Sequence, residues 1–175
     1  HGADGHATVY WTLGTTEALA VERGEYGPDT DIVQVIKFPA VPKVGVLAAM
    51  REGYFDDDVR ALGRRIAAAA RPVTIRPFYE VNGDWYRWHA YHSSNKAEDF
   101  VPAFQRFVNL LREDAGQWVT IDLNLNRRSA KGNVTSDFAT LYPGDDFVDI
   151  ISISSYNRCG LQEDRVEDKA FREEF

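Results

Sequence analysis

Runs of β-branched and apolar residues, separated by stretches of helical spacing, constrain this chain more than any other feature. Residues 32–38 (IVQVIKF), 73–78, 118–125 (WVTIDLNL) and 147–153 (FVDIISI) are predicted as strands, and residues 10–13 as a further short one. Between them, residues 56–70 carry an acidic first turn and place Val59, Leu62 and Ile66 on one helical face before Pro72 stops the run. Residues 97–113 do the same with Phe100, Phe104, Phe107, Val108 and Leu111. Residues 138–142 read as a short helix, and residues 163–175 as the start of another. Strands alternating with helices at this spacing predict βα units in an α/β fold, with parallel strands and outer helices in a single domain over residues 1–175.

Composition excludes several functions. The 175 residues are 44% hydrophobic and 27% charged, the profile of a globular domain, with a formal net charge of −7 and scattered basic residues. Nucleic acid is not an expected partner, because phosphate binding needs concentrated positive charge. Cys159 is the single cysteine, too few for a disulfide framework or a cysteine-rich metal site. No apolar run approaches the roughly 20 residues that span a bilayer, so no membrane partner is expected.

In parallel βα architectures, functional groups gather where strands end. The strand from residue 73 runs into Glu80, Asn82, Trp85 and Trp88; the strand from 118 ends in Asn124 and Asn126; the strand from 148 is followed by Tyr156 and Asn157. Three successive strands thus send carboxylate, amide and aromatic groups to one face. Amides bond hydroxyls and flat rings stack on the apolar faces of pyranoses, so this combination suits carbohydrate. Each residue has a plainer reading: Glu80 as a loop carboxylate, Trp85 and Trp88 as rim packing, Tyr156 as a core residue, Asn126 as a turn cap. Arg76, inside a strand, requires a carboxylate partner. His89 and His92 read as straddling an exposed loop, weak grounds for a metal site, and Asp56 to Asp58 as a helix start. Neither metal nor cofactor is expected.

The stretch from Ile75 to Trp88 (IRPFYEVNGDWYRW) resembles the segment around the acid/base glutamate of family 26 glycoside hydrolases, the β-mannanase family. Residues 53–56 (GYFD) and 142–157 are similar to two further segments of that family, so the resemblance spans about residues 53–157. It implies part of a (β/α)8 TIM-type barrel, a retaining endo-hydrolase of a β-linked polysaccharide such as mannan, and a secreted or extracellular location. Glu80 would match the general acid/base at the end of the fourth strand, and Tyr156 the sixth-strand tyrosine that hydrogen-bonds the nucleophile. Arg76 would hold the charge network, and Tyr79, Asn82, Trp85, Trp88 and Asn126 would contact substrate. Tyr79 stands where the family usually has histidine, which leaves the exact sugar open. The family's nucleophile is a glutamate at the seventh strand, and no carboxylate among residues 163–174 is placed to match it. The expectation is therefore a partial barrel lacking its seventh and eighth strands, whose partners are polysaccharide and the remainder of the barrel. A full barrel takes about 250 residues. A non-catalytic carbohydrate-binding domain derived from such a barrel is the alternative, and an α/β domain with an aromatic protein interface a third reading.

Overall fold

The structure, a computed structural model, describes residues 5–156. It contains a five-stranded sheet in sequence order: β1 (His6–Thr12), β2 (Asp31–Lys37), β3 (Val73–Pro77), β4 (Val119–Asn126) and β5 (Ile150–Ser154), every neighbouring pair parallel. The expected strands are present and consecutive. The helix expected at residues 163–175 lies outside the described residues.

The connecting helices follow from local chemistry. In α2 (Asp56–Ala69), three aspartates occupy the first turn, where the helix dipole favours negative charge, and Ala70 at φ 49° closes the helix in the left-handed conformation. In α3 (Phe100–Ala115), Pro102 sits in the first turn, where its missing N–H costs no hydrogen bond, and Phe100, Phe104, Phe107 and Leu111 form the buried stripe. Residues 97–99, read as helix from their spacing, form a 3-10 turn leading into it. Two short helices complete the described layer: α1 (Val46–Arg51), which the periodicity did not reveal because six residues give less than two turns, and α4 (Val134–Leu141), capped by Asn133, whose side chain accepts from Ser136 N–H at 2.9 Å.

Strand β5 begins later than its apolar run predicts. Asp149 interrupts the run: its carboxylate accepts the Ile121 N–H at 2.7 Å and the Arg112 guanidinium at 2.8 Å, standing in for a rung of the ladder. Residues 145–147 curl into a 3-10 turn just before it.

Alternation along the strands sorts the two faces. Ile75, Ile121, Leu123 and Leu125 are buried in one core with Val59, Leu62, Ile66 and the α3 phenylalanines. Arg76, Asp122 and Asn124 alternate with these apolar residues on the opposite face, where Ser152 and Ser154 of β5 join them, and the five are tied to one another by hydrogen bonds.

Candidate active site

Pro77 ends β3, and the chain then turns through two strained positions, Phe78 at φ 50° and Glu80 at φ 55°. A non-glycine residue in that region costs about 1–3 kcal/mol and persists only where its surroundings hold it. Two anchors do so here. The Phe78 ring is fully buried, stacked on Phe38 with centroids 4.2 Å apart and edged by Phe100 and Phe107, each at 5.9 Å. One residue past Tyr79, the Glu80 N–H donates to Asn124 Oδ1 at 2.9 Å, and the Val81 N–H to the Asn124 carbonyl at 3.3 Å.

The turn brings Glu80, only 5% exposed, to a cleft of about 420 Å³. Trp85 and Tyr86 come from the loop after β3, Asn126, Arg127 and Arg128 from the end of β4, and Ser154, Ser155 and Tyr156 from the end of β5. Three successive strand ends thus build one site, as the sequence implied. Glu80 carries the one carboxylate among the described residues lining the cleft. The Tyr156 hydroxyl donates to Glu80 Oε1 at 3.3 Å, and the negative charge of Glu80, followed by burial, holds this phenol above its usual range. The resemblance assigns Tyr156 to the nucleophile; here its partner is Glu80, the carboxylate the described part of the cleft offers.

The other expected residues divide by position. Trp85, 46% exposed, presents its ring to the cleft, and Asn126 lines it while its Oδ1 accepts the Arg128 N–H at 2.8 Å. Arg76 finds the required carboxylate: its Nε donates to Asp122 Oδ2 at 2.6 Å, below the cleft wall. Asn82 is fully buried, its Nδ2 donating to the Asn126 carbonyl at 2.8 Å and to Asp137 at 3.0 Å while its Oδ1 accepts the Asn126 N–H at 2.7 Å. It clips the β3 loop to β4 and α4. Trp88 is also buried, its indole stacked on Tyr86 at 4.8 Å and donating to the Tyr79 carbonyl at 3.2 Å. The Tyr79 ring packs among Tyr10, Tyr86 and Trp88, and burial pushes its phenol well above the usual range. Arg76, Asn82 and Trp88 therefore stand behind the surface that would meet a ligand.

His89 corrects the reading of an exposed loop. It is fully buried under that loop, with Nδ1 accepting the Tyr86 N–H at 3.2 Å and its ring against the edges of Trp85 and Tyr86. Burial pushes its imidazole down to about 3, an effect the nearby Tyr79 carbonyl partly offsets. That carbonyl accepts from Trp88 Nε1, and His89 Nε2 makes no hydrogen bond of good geometry among the described residues. Among the described residues no three His, Cys, Asp or Glu are grouped to hold a metal ion.

Residue-type reasoning passed over Tyr86, Arg127 and Arg128, which line the cleft, and Asp137, which accepts from both Asn82 and the Tyr91 hydroxyl, at 2.7 Å in the latter case. Position supplied a signal for the two arginines, since they directly follow the strand end at Asn126. Asp137, inside a helix remote in sequence, offered none.

The glycosyl hydrolase family 26 sequence model matches residues 49–169. This chain belongs to glycosyl hydrolase family 26. It is 34% identical over 110 residues to Endoglucanase H of Acetivibrio thermocellus, covering 62% of this chain and 12% of that protein. It is 29% identical over 115 residues to a mannan endo-1,4-beta-mannosidase of Bifidobacterium adolescentis, covering 60% of this chain and 11% of that protein. The β-mannanase structure from Bacteroides ovatus superposes with a TM-score of 0.55 at 19% identity, over 74% of this chain and 42% of that one. The chain thus spans a small part of these curated relatives and under half of the solved barrel. The family 26 fold identifies the five-stranded sheet as part of a TIM-type α/β barrel.

Proposed function

We propose that this family 26 chain is the acid/base half of a retaining endo-hydrolase acting on a β-linked polysaccharide, β-1,4-mannan in the first instance. The observation that carries the reading is the strained, clamped turn that delivers Glu80, a sheltered carboxyl, to an open cleft beside Tyr156. Glu80 would protonate the leaving glycosidic oxygen and then, as base, activate the water that releases the product. Trp85, exposed at the edge of the cleft, would stack on a sugar ring. The relatives' names include an endoglucanase, a mannan endo-1,4-beta-mannosidase and beta-1,3-xylanases, and the β linkage that the mannosidase and xylanase names print supports a β-linked polymer as substrate. Such a polymer is too large to enter a cell, which favours an extracellular site of action.

Retaining hydrolysis needs a second carboxyl about 5–5.5 Å from the first, to attack the anomeric carbon. We assign it to residues outside the described sheet. If the Glu80 strand is the fourth of an eight-stranded ring, β1–β5 take the second to sixth places, and the remaining strands would bring the nucleophile opposite Glu80. The exposed Ile150, Ile151 and Ile153 of β5 suit a strand that meets further chain there.

The test is Glu80→Gln in the complete barrel, the longest reading frame containing this chain. Turnover of β-mannan should fall at least about a hundredfold, the lower range for general acid catalysis, with mannohexaose binding little changed. Trp85→Ala should chiefly weaken that binding. Equal loss of binding in both variants would make Glu80 a structural residue and sink the proposal.

A further inference from the structure

We propose that Asn124 is a positioning residue for the acid/base step: its carboxamide oxygen fixes the backbone that aims the Glu80 carboxyl. The inference rests on the reading of Glu80 given above and goes further, because it names the device that sets that carboxyl's place.

Asn124 is buried, and its two amide atoms face different ways. Nδ2 donates to Ser152 Oγ at 2.9 Å, while Oδ1 accepts the Glu80 N–H at 2.9 Å and the Ser154 hydroxyl at 3.2 Å. An amide set the other way round would present an NH2 group to the Glu80 N–H, donor against donor. What prevents this is the polarity of the chain beneath it. Asp122, fully buried and bound by Arg76 Nε at 2.6 Å, is an acceptor, so the Ser152 hydroxyl donates to it at 2.8 Å. A hydroxyl has a single proton. With that proton spent on Asp122, Ser152 Oγ offers only a lone pair, and only the nitrogen end of Asn124 satisfies it. From Glu80 through Asn124 and Ser152 every donor thus points towards Asp122, which accepts from Arg76 on its other side, and the amide is left with its oxygen aimed at Glu80.

That oxygen meets the residue that most needs holding. Glu80 sits at φ 55°, where a side-chain-bearing residue stays only if its neighbours over-determine it. The strap joins the end of β4 to the turn after β3, so the carboxyl is placed by the sheet and not by its own loop. An ångström of misplacement at a reacting group costs about a hundredfold in rate.

The experiment uses the complete barrel and compares Asn124→Leu, which cannot accept, with Asn124→Asp, which can, and with Ser152→Ala, which frees the amide to flip. On β-mannan, Asn124→Leu should lose about ten- to a hundredfold in kcat with KM within about twofold. Asn124→Asp keeps an oxygen for the Glu80 N–H but loses the donor to Ser152, whose proton it must draw away from Asp122, so it should recover part of that loss. Ser152→Ala should fall in between, and the Asn124→Leu, Ser152→Ala double variant should lose no more than Asn124→Leu alone, as for residues acting as one unit. On a 2,4-dinitrophenyl β-mannoside, whose leaving group needs no proton, kcat/KM should be nearly unchanged in all of them.

Equal losses on both substrates, equal losses in the Leu and Asp variants, or a loss confined to KM would overturn the inference. Thermal melts of each variant separate unfolding from misplacement, and Asn124→Asp, the closest in shape, keeps the comparison if the Leu variant does not fold. Glu80→Gln measured alongside separates the two claims. If it retains full turnover, the reading of Glu80 fails; if it loses turnover and the Asn124 variants do not, only the positioning role fails.

Discussion

His89 and its neighbours carry the clearest consequence of burial at a single residue. The imidazole lies beneath the aromatic loop, and a Cβ on Gly83 would come within 2.5 Å of its Nδ1 and 2.7 Å of the Trp85 ring, so the three groups pack without slack. Its folded pKa, near 3, lies below the unfolded value near 6.5. The unfolded chain therefore takes up a proton first as pH falls, and the stability lost begins at about pH 6.5 and accumulates towards pH 3. Between pH 7 and 4.5 that amounts to about 2–3 kcal/mol. Urea titrations at the two pH values should show this loss in the parent protein, and a loss smaller by that amount in His89→Leu. Parallel losses in both would show that His89 does not control the acid limb. At the opposite end of the scale, Tyr156 owes its raised pKa first to Glu80. Replacing Glu80 by Gln should move the Tyr156 phenolate transition, read by ultraviolet difference absorbance, to lower pH.

Among the elements, α2 and α3 pack closely against each other. Gly63 lies where the two helices touch: a Cβ there would meet Asp114 Cβ at 2.8 Å and the Leu111 carbonyl oxygen at 3.0 Å. Alanine would raise helix propensity by up to about 1 kcal/mol, but overpacking costs about 1–3 kcal/mol. Backbone atoms cannot swing aside, so the second effect should win. Gly63→Ala is expected to lower the melting temperature by about 3–6 °C, and a rise would show that the helices separate freely. An ion pair bridges the same helices, with Arg106 Nε donating to Asp56 Oδ1 at 2.8 Å. The aspartate run at the start of α2 thus serves the helix dipole and the interhelical contact at once.

For the whole molecule, the outer strands decide behaviour. Within the described residues, β1 and β5 each pair on one side only, and β5 leaves Ile150, Ile151 and Ile153 between 41% and 54% exposed. Open strand edges bearing apolar side chains template association. The 175-residue chain made alone should therefore run above monomer mass in light scattering and show no hydrolysis of β-mannan, while the complete barrel should be monodisperse and active. A monodisperse, cooperatively melting and active 175-residue chain would place a second carboxyl within it, with Glu163 and Asp164 the first residues to test. Both lie outside the described residues.

Periodicity and residue type were enough to read the alternation of strands and helices, the parallel sheet, the core stripes of α2 and α3, and the convergence of three strand ends on Glu80. These are local or nearly local properties: side-chain spacing sets which face is apolar, and parallel connection sends every strand end to the same side. Arg76 announced its need for a carboxylate because burying a guanidinium unpaired is so costly, but only the register of β3 against β4 revealed Asp122 as the partner. The positive φ of Phe78 and Glu80 has no signature in residues that ordinarily avoid it; it exists because the Phe38 stack and the Asn124 strap hold it from outside. The inward burial of His89, Asn82 and Trp88 was equally hidden, since a loop rich in aromatic and polar residues looks exposed until the chain folds back over it. Spacing chose which residues reach the site, and contacts between residues some 44 positions apart decided which of them face the cleft.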